Sequence, residues 1–275
     1  MVTLHCRVDR KNNNTPVLSN KEIDEFAHRI LQDYKPELLE RPGKIRYEHF
    51  LETYLGATIM YADIYNDDPD RPIWGATAFK DEVLKVFDKE NMCVRTVHVP
   101  ARTVIIDRSL LADGEGGRAL FTALHEAGHL LLHICVYNPD IEGQISFLED
   151  EMVLVVCCRQ DTIERFYPPN PLRGRTRTSA EWREHQANYF AAAIAMPNAT
   201  FRPFVVNLLH QHEFRKGQIV TGRDEDLDIL AEDILPSEIS ETYGVSRQAA
   251  FIKLKKAGFV IDTKTFAERE LQYTF

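Results

Sequence analysis

The sequence predicts an α+β fold in which a small β-sheet lies beside a long core helix and is followed by a helical C-terminal region. Three observations point to it. Strand-like stretches cluster between residues 57 and 106; residues 118–134 and 178–197 repeat apolar side chains at helical spacing; and the last quarter holds a helical pair interrupted by turn residues.

In chain order, residues 21–34 place Ile23, Phe26, Ala27, Ile30 and Leu31 on one helical face, and residues 47–55 read as a second short helix. Residues 57–64, 73–79, 92–99 and 102–106 read as strands, and Pro100-Ala101 is expected to join the last two as a hairpin. Gly114, Gly116 and Gly117 make a flexible entry to the next helix, whose stripe is Leu120, Leu124, Ala127, Leu131 and Ile134; Pro139 closes its far end. An apolar run from Met152 to Cys158 suits a buried strand or helix. The prolines at 168, 169 and 171 and the basic run from Arg173 to Arg177 read as a mobile loop, either solvated or flanking a cleft. Thr178 and Glu181 then have capping-box spacing at the start of a helix that ends at Met196-Pro197. Residues 204–212 read as helix and residues 217–228 as a polar, acidic connector. This organisation suggests two units, 1–215 and 216–275.

The chemistry is concentrated in His125-Glu126-Ala127-Gly128-His129. On a helix, positions four apart lie about 40° apart around the axis and about 6 Å apart along it, so two imidazoles can converge on one ion. Glu126 points to one side of that pair. There it can take a proton from water without occupying the metal, which is the division of labour in a zinc peptidase. Such a site needs three protein ligands and an open position. Glu184 is the candidate third ligand, with Glu181 and His185 as competitors; Asn188, one turn beyond Glu184, is placed to hydrogen-bond the outer nitrogen of a ligating histidine. His133 shares the face of His125 and His129, but a straight helix sets it about 12 Å along the axis from His125. It is therefore expected beside the site or in the substrate cleft, or simply packed. His133 and Tyr189 are the candidate donors to an oxyanion. The sheet beside this helix has the arrangement of a zincin-like core, in which an edge strand holds extended substrate.

These residues resemble a known family. His-Glu-Ala-Gly-His together with Glu184-x-x-Ala187-Asn188-x-Phe190-Ala191-Ala192 and the following Met196-Pro197 is similar to the ImmA/IrrE family of zinc-dependent metallopeptidases. The resemblance implies zinc held by His125, His129 and Glu184, with Glu126 as the base. It also implies cleavage of a helix-turn-helix repressor, releasing genes for stress response or mobile-element transfer. Residues 239–259 resemble the helix-turn-helix-like tail of that family, with Gly244 suited to the turn and Ser246 to the N-cap of the second helix. DNA contact would fall to Arg247, Gln248, Lys253, Lys255 and Lys256; the alternative is a helix pair packed on the core. From residue 235 onward the chain has six basic residues and five acidic ones, which is no footprint for a phosphate backbone. A ligand-sensing C-terminal domain of the kind found in radiation-response members is not expected here.

Composition fits these expectations. The chain has 275 residues, 44% of them hydrophobic, and a net charge of -9, which argues against general nucleic-acid binding and for a neutral or basic protein partner. No signal-peptide pattern or membrane-length apolar run is evident, and the expected location is the cytoplasm. The five cysteines, Cys6, Cys93, Cys135, Cys157 and Cys158, lack framework spacing and suit a reducing compartment. Mixed imidazole and carboxylate ligation admits manganese as well as zinc. Two other functions compete with proteolysis: a DNA-binding regulator, and an adaptor that keeps zinc as a structural element and binds a repressor without cleaving it.

Overall fold

A computed structural model describes residues 2–4, 6–9, 14–68, 70, 72–137, 155–159 and 178–266. The expected loop at 168–177 and Pro139 lie outside them. The described residues form a mixed α+β architecture. Short strands β1 (Val8–Asp9) and β2 (Thr15–Pro16) precede helices α1 (Asn20–Tyr34), α2 (Glu37–Glu40) and α3 (Tyr47–His49), the last continuing as a π turn. Strands β3 (Thr58–Ala62), β4 (Ile73–Ala78), β5 (Glu82–Asp88), β6 (Cys93–Val99) and β7 (Thr103–Asp107) lead to α4 (Gly116–Leu132) and α5 (Ile134–Tyr137). After β8 (Val155–Arg159) come α6 (Ser179–Ala195) and α7 (Asn198–Gln211). Finally come β9 (Ile219–Thr221), α8 (Glu225–Ile229), α9 (Leu235–Tyr243), α10 (Arg247–Ala257) and β10 (Val260–Asp262), with residues 263–266 helical after it.

Local signals set several of these bounds. Ser19 and Glu22 close a capping box on α1, and its buried face is Ile23, Phe26, Ala27, Ile30 and Leu31, as the spacing predicts. Thr178 and Glu181 do the same for α6. Each such cap is worth about 1 kcal/mol. By contrast α4 is buried on nearly every side from Ala119 to Leu130, so its expected stripe understates its burial.

The central sheet runs β3-β7-β4-β8, with β3 parallel to β7 and β4 antiparallel to both β7 and β8. Side chains alternate across it. Val104 and Ile106 enter the main core with α4, whereas Ile105, Ala76 and Ala78 face the opposite side and pack with Leu84, Val86 and Val99. By the same alternation Gly75 and Thr77 of β4 look toward α4.

Three expectations need correction. Residues 92–99 do not form a hairpin with 102–106: β6 pairs antiparallel with β5, from Glu82 opposite Val99 to Asp88 opposite Cys93, and β7 belongs to the central sheet. The turn that makes this hairpin is built on Asp88, whose carboxylate accepts the backbone N–H groups of Glu90 and Asn91. The connector at 217–228 contains β9, which pairs parallel with β10 some forty residues later, and the helix expected at 204–212 starts earlier, at Asn198. The main hydrophobic cluster extends from Ile23 to Val260, so α9 and α10 share it with α1, α4, α6 and α7. Cys6, Cys93 and Cys135 form no disulfide, and no described helix is long and apolar enough to cross a membrane.

Candidate metal centre

The site is made by two helices that touch almost backbone to backbone. Gly128, inside the motif, faces Ala187: a Cβ on Gly128 would stand 3.1 Å from Ala187 Cα and 3.2 Å from Phe190 Cδ1. A Cβ here would crowd the Ala187 backbone, and its absence lets α4 and α6 approach this closely. At this separation Glu184 of α6 reaches the two histidines of α4. His125 Nε2 and His129 Nε2 are 3.0 Å apart; Glu184 Oε2 is 3.3 Å from the first and Glu184 Oε1 3.3 Å from the second. One donor atom from each of the three residues lies within 4.8 Å of the others.

The surroundings determine which ring nitrogens carry protons. Asn188 Oδ1 lies 3.0 Å from His125 Nδ1, and because an amide oxygen only accepts, Nδ1 holds the hydrogen. His125 Nε2 therefore turns a lone pair inward. A longer relay acts on His129. Gln186 Nε2 donates to Pro16 O at 2.7 Å, which fixes the amide so that its Oε1 accepts from His133 Nε2 at 2.9 Å. His133 Nδ1 is left as an acceptor, and His129 Nδ1 donates to it at 3.0 Å. Burial, reinforced by the charge of His129, holds His133 well below its ordinary pKa and so neutral. His129 Nε2 thus also faces inward as a lone pair.

Two lone pairs and a carboxylate converging on one point repel each other unless a cation sits between them. The Glu184 carboxyl remains far below the usual carboxylate range: burial opposes ionisation, but the two imidazoles overcome it. Glu184 Oε2 is buried without a hydrogen-bond donor. In the absence of metal the preferred seat for a proton is His125, where burial is outweighed by Glu184 and then Glu126, so that its pKa rises; burial lowers that of His129. The cluster could hold a metal ion, and a donor set of two imidazoles and one carboxylate fits a divalent metal with a position left open.

Glu126 is held off this point from the sheet side. Thr77 Oγ1 donates to Glu126 Oε2 at 2.6 Å, and both residues are fully buried. Their approach depends on Gly75, where a Cβ would stand 2.5 Å from Thr122 Cγ2 and 3.0 Å from Glu126 Oε1. The competing ligands are engaged elsewhere: Glu181 caps α6, and His185 Nε2 meets Asn20 Oδ1 at 3.2 Å.

His133 stands beside the site, one of the places expected for it: it is fully buried, with its Nδ1 3.0 Å from His129 Nδ1. Tyr189 does line a cavity, but its hydroxyl proton goes to Asp24 Oδ2 at 2.8 Å. With the His133 proton given to Gln186, neither residue has a donor left for an oxyanion.

Residues 158–255 match the family model of the IrrE N-terminal-like domain, a peptidase family. The likeness to the ImmA/IrrE family is therefore borne out on a stretch that carries Glu184 and Asn188 and begins after the His-Glu-Ala-Gly-His motif. The match suggests a metallopeptidase. No curated protein matches the chain.

Thr77, Gly75, Gln186 and the contact role of Gly128 were not read from the sequence. Gln186 had no readable signal, because two positions along a helix from Glu184 and from Asn188 it is rotated by about 200° from each. Thr77 had none, because its partner is set by strand pairing.

Proposed function

We propose that the chain is a zinc-dependent endopeptidase with a zincin-like core that cuts one specific cytoplasmic protein, a helix-turn-helix repressor. The observation that carries this reading is the division of carboxylates. Glu184 joins the inward lone pairs of His125 and His129, while Thr77 keeps Glu126 beside them. A purely structural site has no use for that second, separately held carboxylate.

When bound by His125, His129 and Glu184, the metal supplies Lewis-acid polarisation. Glu126 accepts the proton of the attacking water and returns it to the leaving amine. Thr77 orients Glu126 through Oε2. Asn188 and the Gln186–His133 pair hold the imidazoles in the ligating tautomers. The burial of Glu126 and of both histidines limits bulk water around the reacting bond.

The repressor reading rests on the family likeness and on a charge of -9, which suits a neutral or basic protein partner. Direct DNA binding by the C-terminal pair is disfavoured because Lys253, one of its expected contacts, is buried.

The test is to incubate zinc-loaded protein with the helix-turn-helix repressor encoded beside its gene and analyse the products by mass spectrometry. A single fragment pair, absent with Glu126→Gln that still binds zinc, is expected. An intact repressor removes that substrate, and equal cleavage by Glu126→Gln removes the proposed base.

A further inference from the structure

The cavity that Tyr189 lines, of about 190 Å³, lies between α4, α6, α7 and α10. Its charged lining is unbalanced. Arg118, Arg202, Lys253 and Lys256 face a single carboxylate, Asp24. That carboxylate is already engaged through Oδ2, which accepts from Tyr189 Oη at 2.8 Å and from Asn198 Nδ2 at 3.0 Å. Arg118 is paired with Glu115, and Arg202 donates to Ala257 O.

Lys253 differs from the other cations. It is only 7% exposed, and among the described residues its ammonium has no ion pair or hydrogen bond; the Phe201 ring lies 5.6 Å away. An ammonium on so enclosed a side chain, with Asp24 the one carboxylate of the lining and no ion pair to it, is costly. Burial pulls its pKa down to about 8; Asp24 opposes this and Arg202 adds to it. Thr122 belongs to the lining too, with its own Oγ1 enclosed and without a hydrogen bond. Trp74, Phe121, Ala192 and Ile252 supply apolar wall. The cavity thus offers an excess of positive charge, with Lys253 the most enclosed of its cations, inside a partly apolar enclosure.

We propose that this cavity binds an anionic group, a carboxylate or phosphate, borne by a small organic molecule or by an acidic side chain of a polypeptide, with Lys253 as its counter-ion. Thr122 lies one turn before Glu126 on α4, about 6 Å along the axis, so the occupant sits next to the candidate metal centre without being part of it. Since Lys253 and Lys256 come from α10, the occupant also ties the C-terminal helix pair to α4 and α6. Anion binding here does not depend on peptidase activity and is read by binding alone.

The test uses the full chain and isothermal titration with inorganic phosphate, glutarate, the peptide acetyl-Ala-Glu-Ala-amide and its glutamine counterpart. Saturable binding of at least one anionic probe is expected, with the glutamine peptide silent. Lys253→Met, a change of similar volume, should weaken that binding at least tenfold, and Asp24→Asn should strengthen it. Phosphate or glutarate binding identifies a free ligand; binding of the glutamate peptide alone identifies a side-chain pocket. If Lys253→Met does not fold, the opposite shifts of Asp24→Asn and Lys256→Gln, stronger and weaker, decide the matter. Absence of saturable binding by every probe, or affinities unmoved by these substitutions, overturns the proposal.

Discussion

Thr77 and Glu126 meet at 2.6 Å because a strand and a helix far apart in sequence present facing side chains: β4 turns every second residue toward α4, and Glu126 is the residue of α4 at that height. A hydrogen bond to a buried carboxylate is worth about 1.5–3 kcal/mol. Thr77→Val keeps the shape and removes the donor. Zinc affinity should change less than threefold, while kcat/KM for the cleaved protein should fall by roughly ten- to a hundredfold, in line with that energy. Parallel zinc titration and cleavage kinetics separate the two. A matching drop in zinc affinity would show that Thr77 supports the fold of the site and not the base.

The Gln186–His133–His129 relay predicts an effect at a distance. Gln186→Met removes the acceptor that keeps the proton on His133 Nε2. His133 can then protonate Nδ1, His129 must accept at Nδ1, and His129 Nε2 carries the hydrogen that excludes it as a ligand. Zinc affinity should fall by about 10- to 100-fold. A zinc Kd equal to that of the unmodified protein would mean that the relay has no influence on the tautomer.

Lys253 gives stability a dependence on alkaline pH. Its folded-state pKa is about 8 against 10.5 for the ordinary group, so the unfolded chain binds more protons between those values and stability rises with pH across that window. The rise amounts to on the order of 3 kcal/mol for the ligand-free protein. Urea unfolding at pH 7, 9 and 10.5 should show Lys253→Met more stable at pH 7, with the advantage disappearing by pH 10.5. A constant difference between the two proteins would place the ammonium in a solvated position.

What the sequence made readable was local. Capping boxes at Ser19 and Thr178 and the apolar face of α1 are effects over three or four residues, and they coincide with helix bounds in the structure. The spacing of His125 and His129, and of Glu184 and Asn188, is equally local, and the structure brings all four together. What was not readable depends on non-local pairing. The hairpin of β5 with β6 competes with a plausible turn at Pro100-Ala101, and β9 with β10 joins segments that carry no mutual signal. Gly75 and Thr77 look like ordinary strand residues until β4 is laid against α4. His133 was placed by helix rise alone, which gave its distance from His125 but not its contact with His129 and Gln186.

The central claim is that His125, His129 and Glu184 hold one divalent cation while Glu126 stays uncoordinated beside it. Anomalous diffraction at the zinc edge from a zinc-loaded crystal tests it most directly. The expected result is one strong peak about 2 Å from His125 Nε2, His129 Nε2 and a Glu184 oxygen, with Glu126 beyond bonding distance. A peak bonded to Glu126, or none between α4 and α6 in protein that binds zinc in solution, would contradict it.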